Sequence, residues 1–228
     1  MGKQMKIDSD IHNVLKFHVE DVAANGDIQL TASLDSAVIK SSMMGKETTM
    51  NLSDLIGKRV AVVLTKFGET KSSAMIDTID GKYKNMMPLA EELKQFFQKL
   101  AGKDIKTGDS WSSSDIDTIK NLGDGVTRNL DMTYTLSGKE SKNGYSCFKI
   151  PCTGKFKISG KASLQGMDFT VEGDGTITGT LFLDEKSCVM IESESTMSVQ
   201  MTLATSGQQS MVIPITQDII SKQTLINN

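Results

Sequence analysis

Residues 189–203 read VMIESESTMSVQMTL, and their alternation decides the fold class. Val189, Ile191, Ser193, Ser195, Met197, Val199, Met201 and Leu203 share one parity, whereas Glu192, Glu194, Thr196, Ser198, Gln200 and Thr202 share the other. Side chains on a strand point alternately to its two faces, so the run reads as one strand with an apolar and a polar face. At about 3.3 Å per residue such a run reaches roughly 50 Å, and a strand of that length must curl as its sheet twists. Ser193 and Ser195 on the inward parity mark the expected bend, or a polar gap between two apolar zones.

Period two recurs on either side. Upstream, Leu130, Met132, Tyr134 and Leu136 alternate into a turn at Lys142-Asn143-Gly144, and Tyr145 to Ile150 return from it. Further strands are expected at 155–159, 168–172 and 176–183, separated by turns at Gly160-Lys161 and Gly173-Asp174-Gly175 and closed by Asp184-Glu185-Lys186. Downstream, Met211, Ile213 and Ile215 make a last short strand before a polar tail. Near the start, Leu15, Phe17 and Val19 run into Asn25-Gly26-Asp27, and Ile28, Leu30, Ala32 and Leu34 follow, the pattern of a β-hairpin. Val60 to Leu64 is an apolar strand, Phe67-Gly68-Glu69 a turn, and a return strand heads towards Ile79. The stretch Gly108-Asp109-Ser110-Trp111 with Ser112-Ser113-Ser114 reads as a loop.

One segment departs from this period. Leu89, Leu93, Phe96, Phe97 and Leu100 share a helical face behind Pro88, with Glu91 and Glu92 early and Lys99 and Gly102 late. The spacing predicts one amphipathic helix over about 88–101. The order of strands and turns before it resembles the order after it, with Asn143-Gly144 in the place of Asn25-Gly26. The expected fold is mainly β, with long curled antiparallel strands in two pattern-related halves and one helix. The expected organisation is an N-terminal β half over 1–84, a connecting helix and loop over 85–108, and a C-terminal β half over 109–228, or one continuous domain.

Composition excludes more than it assigns. The chain of 228 residues carries a net charge of −3, against a dedicated nucleic-acid binder, and no apolar run approaches a membrane span. The only histidines, His12 and His18, stand without a nucleophile motif, and His18 falls on the polar parity of its strand. The Gly173–Gly179 stretch lacks the spacing and the following helix of a phosphate loop. Asp115, Asp117 and Asp124 depart from calcium-loop spacing. Cys147, Cys152 and Cys188 lack zinc-ligand spacing and read as free thiols packed as small apolar groups. A Cys147–Cys152 bridge requires the chain to turn near Pro151, because residues five apart on a straight strand face opposite ways. No metal, cofactor or catalytic residue is expected.

Methionine is the compositional oddity, with 14 Met against 8 Phe, 3 Tyr and 1 Trp. Flexible thioethers fill irregular cores and also line adaptable binding surfaces. The scattered positions lack M-x-x-M clusters and speak against a copper site. The candidate ligand-binding residues are Met132, Met190, Met197 and Met201 on the curled strands, with Leu93 and Phe97 on the helix.

The motifs GKRVAVVLTKFGE, GKDIKTGDSW, YTLSGKESKNGYSCFKI and GTITGTLFLDEKSCVMIESEST together resemble a family of uncharacterised bacterial envelope proteins, often lipoproteins whose leader is removed. At the level of architecture the expected strands and helix are similar to periplasmic half-barrel carriers of lipids and lipoproteins. The resemblance implies a periplasmic or outer-membrane-anchored location, with a cytoplasmic one as the alternative suggested by the absence of an apolar leader. Two readings of function follow. The first is a non-enzymatic envelope protein that binds an apolar ligand, a lipid or a lipidated partner; the second is an interaction module that docks another envelope protein and takes no small ligand.

Overall fold

The computed structural model describes residues 5–79, 89–94, 96–119, 122, 125–164, 167–205 and 211–226. The chain divides into two units, Met1–Leu100 and Ala101–Asn228, each built on its own antiparallel sheet. The mainly-β expectation holds, with one short α-helix among the described residues.

The first unit holds strands β1 (Ile7–Val22), β2 (Ile28–Met43), β3 (Lys46–Asn51), β4 (Arg59–Leu64) and β5 (Thr70–Met75), in the order β1-β2-β4-β5 with β3 also on β2. The Asn25-Gly26 hairpin forms as expected, with Gly26 at φ 85° and the Ala23 N–H donating to the Asp27 carbonyl at 2.9 Å. Both its strands run longer than alternation suggests. A second hairpin at Met44 and Gly45, both at positive φ, adds β3, which the sequence reading missed.

The helix α1 spans Leu89–Lys94, not 88–101. Leu89 and Leu93 are buried against Leu30, Val60, Val62 and Leu64, so the apolar stripe was read correctly while the length was not. Beyond Lys94 the backbone is claimed by the β4–β5 turn. Thr70 Oγ1 donates to the Lys94 carbonyl at 3.1 Å, and the Leu100 N–H donates to the Phe67 carbonyl at 2.8 Å. Between them the Phe96 N–H still donates locally to the Leu93 carbonyl at 3.3 Å. Phe96 and Phe97 then turn onto Phe17, with ring centroids 5.2 to 5.5 Å apart. Pro88 lies outside the described residues.

The second unit holds β6 (Ser110–Thr118), β7 (Gly125–Thr135), β8 (Gly138–Lys142), β9 (Tyr145–Leu164), β10 (Met167–Asp184), β11 (Met190–Thr205) and β12 (Val212–Thr224). Their order is β12-β11-β10-β9-β7-β6, with β8 also on β9, an open sheet and not a closed barrel. Four expectations need correction here. The serine-rich stretch after Gly108 is strand β6, held by a hydroxyl ladder in which Ser110 meets Thr135 at 2.8 Å and Ser114 donates to Asp131 at 2.6 Å. Trp111 stacks on Tyr134 across the same pair. Neither Gly160-Lys161 nor Gly173-Asp174-Gly175 turns the chain: β9 and β10 run through them, paired from Met167↔Leu164 to Asp184↔Cys147. The polar tail is largely strand β12, thirteen residues long.

The fourth correction concerns β11. A bulge between Phe182 and Leu183 sets Glu192 opposite Phe182 and Met190 opposite Leu183, leaving Ile191 as the extra residue. Parity therefore breaks at Ile191, earlier than the expected bend at Ser193 and Ser195. Ile191 packs with Cys147 and Phe182, on the face opposite Val199 and Leu203. The strand does serve two apolar zones, and Ser195 stands between them.

Candidate functional site

One face of the large sheet gathers Val126, Phe156, Ile158, Ala162, Phe169, Val171, Val199 and Leu203, all buried. Full burial of side chains of this size contributes roughly 1.5–3 kcal/mol each. Met197, Met201, Ile177, Ile213 and Ile215 pack against this cluster but stay partly exposed. The register explains the grouping, since Met201 stands between Gly173 and Ile215, and Met197 between Ile177 and Ile219.

Glycines give this face its relief. Met132 is paired with Gly154, Phe156 with Gly175, and Gly173 with both Ile158 and Met201. A Cβ built on Gly154 would lie 2.2 Å from Met132 Sδ, and one on Gly175 would lie 2.2 Å from Phe156 Cζ. The large side chains thus lie down over the bare backbone of the neighbouring strand. The face is a trough floored by glycine and filled by flexible thioethers and one phenyl ring.

The six candidate residues do not form one group. Met132, at 8% exposure, Met197 and Met201 belong to this face. Met190, of the wrong parity in the sequence, is brought to the same side by the bulge at Ile191. Leu93 and Phe97 belong to the core of the first unit, with Leu93 only 2% exposed. Sequence reading missed Phe156, Gly154, Gly173 and Gly175. A signal was present, because Val171, Gly173, Gly175, Ile177 and Leu181 keep one parity, as a strand that spends glycines on its inner face would.

The opposite face carries charge. Glu192, with 8% of its side chain exposed, lies 3.1 Å from Lys142 Nζ and 3.6 Å from Lys222 Nζ. Lys222 also meets Glu194 at 2.7 Å, Lys149 meets Glu140 at 2.9 Å, and Lys142 Nζ sits 4.3 Å above the Phe182 ring. The hydrogen bond to Glu192 raises the Lys142 pKa above its ordinary value, and Lys149 lowers that of Glu140. An open depression of about 600 Å³ beside this row is lined by Thr178, Thr180, Glu194, Thr196, Ile220 and Lys222. Glu140, Glu192 and Glu194 in this row are each answered by a lysine, an arrangement that balances charge.

The remaining sequence candidates stay apart. His12 is exposed, and His18 lies 3.9 Å from Glu20 at the surface. Asp117 accepts from Arg128 at 2.6 Å, and Asp124 lies outside the described residues. Among the described residues no group of three or more His, Cys, Asp or Glu is placed to hold a metal ion. Cys147 and Cys152 are buried and unbridged, since β9 continues straight through Pro151 and sends them to opposite faces; Cys188 is exposed instead of packed. Among the described residues no helix is long and apolar enough to cross a membrane.

Comparison with known proteins adds one relationship. Residues 82–190 are similar to a family of unknown function, DUF6263. The match covers just under half of the chain, from ahead of α1 to the start of β11. It includes Met132, Gly154, Phe156 and Gly175 of the trough, and Glu140 and Lys142 of the charged row. It agrees with the expectation of an uncharacterised family. No curated protein and no solved structure matches the chain.

Proposed function

We propose that the chain is a non-enzymatic envelope protein that holds an apolar ligand, of the class of a lipid acyl chain, on the glycine-floored face of its large sheet. The observation that carries this reading is the pairing of Met132 with Gly154 and of Met201 with Gly173. A thioether that fills the space above a glycine can swing aside at small rotameric cost and leave a groove floored by backbone. An acyl chain entering that groove gains about 0.8 kcal/mol per buried methylene. The envelope location rests on the sequence motifs. The test is mass spectrometry of the organic extract of protein purified without detergent, beside a control protein from the same host. A stoichiometric lipid supports the reading. A clean extract, together with no uptake of a fluorescent fatty acid, overturns it.

A second reading, an interaction module without a small ligand, is favoured by β12. This edge strand leaves Val212 65% and Ile220 86% exposed, and an open strand edge is a template for pairing with another chain. Capture of an envelope protein that is lost on Ile220→Lys, with a clean organic extract, supports this reading over the first.

A further inference from the structure

Strand β1 forms the outer edge of the small sheet and pairs with β2 alone among the described residues. It is sixteen residues long and almost wholly exposed. Ile7, Ile11 and Val19 stand 55%, 60% and 54% exposed. A long edge bearing aliphatic side chains invites pairing, and proteins that must remain single usually shorten or bulge such an edge, or load it with charge of one kind. Here the charges are mixed, and their order along the strand is the informative feature.

We propose that β1 is a homodimer interface, pairing antiparallel with β1 of a second copy of this chain about a two-fold axis at Asn13. In that register Asp10 faces Lys16 of the second copy, Asp8 faces His18, and Lys6 faces Glu20, each pair occurring twice. On the other face Ile7 meets Val19, Ile11 meets Leu15 and Ser9 meets Phe17. Asp8, Asp10, Lys16, His18 and Glu20 therefore meet opposite or titratable partners, while His12 faces Val14 and Asp21 faces Met5. Sliding the register by two residues either way keeps only one acid–base pair, Asp10 with His18 or Asp8 with Lys16. One slide sets Asp8 against Glu20 and His12 against Lys16; the other leaves Asp10 against Val14. Opposite charges directly across antiparallel strands stabilise the pairing and like charges oppose it, so the sequence selects the Asn13-centred register.

The geometry leaves these groups available. Lys6 and Asp8 are 82% and 65% exposed and contact each other, and His18 and Glu20 are 74% and 51% exposed and contact each other. The bulge at Glu20 lies at the end of the paired stretch, and the irregularity at Val14 and Leu15 is taken up by an extra residue in β2, so β1 itself alternates without interruption from Ile7 to Val19. Joining two copies this way makes one continuous sheet across the two-fold axis, an isologous contact that closes and leaves no edge of this kind open. The interface lies on the other sheet from the apolar trough and does not rest on the ligand reading.

The test is sedimentation velocity of the full chain over a concentration series, with Asp10→Lys, Lys16→Asp and the double exchange. The wild type is expected to dimerise with concentration, and less so at high salt, because the pairs are exposed. Each single exchange creates two like-charge pairs per dimer and is expected to raise the dimer dissociation constant about tenfold or more. The double exchange restores the pairing and with it the wild-type value. Both positions are exposed, and far-UV circular dichroism checks that each variant is folded. A wild type that stays monomeric, single variants that dimerise as it does, or a double variant that fails to recover would each overturn the proposal.

Discussion

The ring of Phe156 occupies the space that a side chain at Gly175 would need. A Cβ there would stand 2.2 Å from Phe156 Cζ and 2.5 Å from the Ser198 carbonyl oxygen. At Gly154 the nearest atom is instead Met132 Sδ, the movable end of a flexible side chain, and the nearest backbone oxygen is 3.1 Å away. Alanine in a strand recovers up to about 1 kcal/mol over glycine from reduced backbone entropy. Gly154→Ala is therefore expected to be near neutral, with Met132 swung aside. Gly175→Ala is expected to lose about 1–3 kcal/mol, the usual cost of overpacking against groups that cannot yield. Urea unfolding of the two variants checks this, and equal losses would contradict the distinction.

Thiol chemistry reports the course of β9. Burial raises the pKa of both Cys147 and Cys152, and both side chains are shielded, whereas Cys188 is exposed in the β10–β11 turn. An Ellman titration of native protein is expected to find one fast thiol, lost in Cys188→Ser. Two further thiols should appear in denaturant without reductant. A count that stays at one in denaturant, with a bridge between Cys147 and Cys152, would mean that the chain does turn at Pro151.

Acid acts on the small sheet through Asp77. Its carboxylate accepts from the Arg59 guanidinium and from the Arg59 backbone N–H, each at 2.9 Å, and these bonds hold its pKa well below the ordinary carboxylate value. A depressed folded-state pKa adds stability above the unfolded value, near 4, that is lost as the pH falls through the folded value. Asp77→Asn is expected to melt below the wild type at pH 7 by a small, salt-screened margin, and that margin should shrink steadily below about pH 4. A margin independent of pH would remove the carboxylate charge as its cause.

The charged row gives the opposite dependence. Glu192 holds Lys142 and Lys222, and the Lys142 pKa is raised chiefly through Glu192. A raised lysine adds stability that is full below its unfolded value, near 10.4, and is lost as the pH climbs through the higher folded value. Glu192→Gln is expected to lower the melting temperature more than Glu194→Gln, because Glu194 is half exposed and its ion pair is with Lys222, whereas buried Glu192 pairs with both Lys142 and Lys222. The gap between wild type and Glu192→Gln should close in strong alkali. Calorimetry between pH 7 and 11 decides the order.

The sequence by itself determined the mainly-β class, the two Asn-Gly hairpins, the apolar stripe of α1 and the inner parity from Met197 to Leu203. Each follows from local steric rules, with strand alternation fixing the face and positive φ at Asn143, Gly144 and Gly26 fixing the reversals. Tertiary structure alone decided the rest. Gly173 and Gly175 carry no sign in themselves of whether the chain turns or continues. That depends on Met201 and Phe156, which arrive from neighbouring strands to cover the bare backbone. The serines after Gly108 become a strand because Thr133, Thr135 and Asp131 lie across from them. The helix ends at Lys94, and beyond it Thr70 and Phe67 from the β4–β5 hairpin bond the Lys94 carbonyl and the Leu100 N–H. The bulge at Ile191 moves Met190 to the face of Met197 by a register that no window of local sequence contains. Side-chain alternation is a property of one strand, whereas packing and pairing belong to two, and distant residues supply the second.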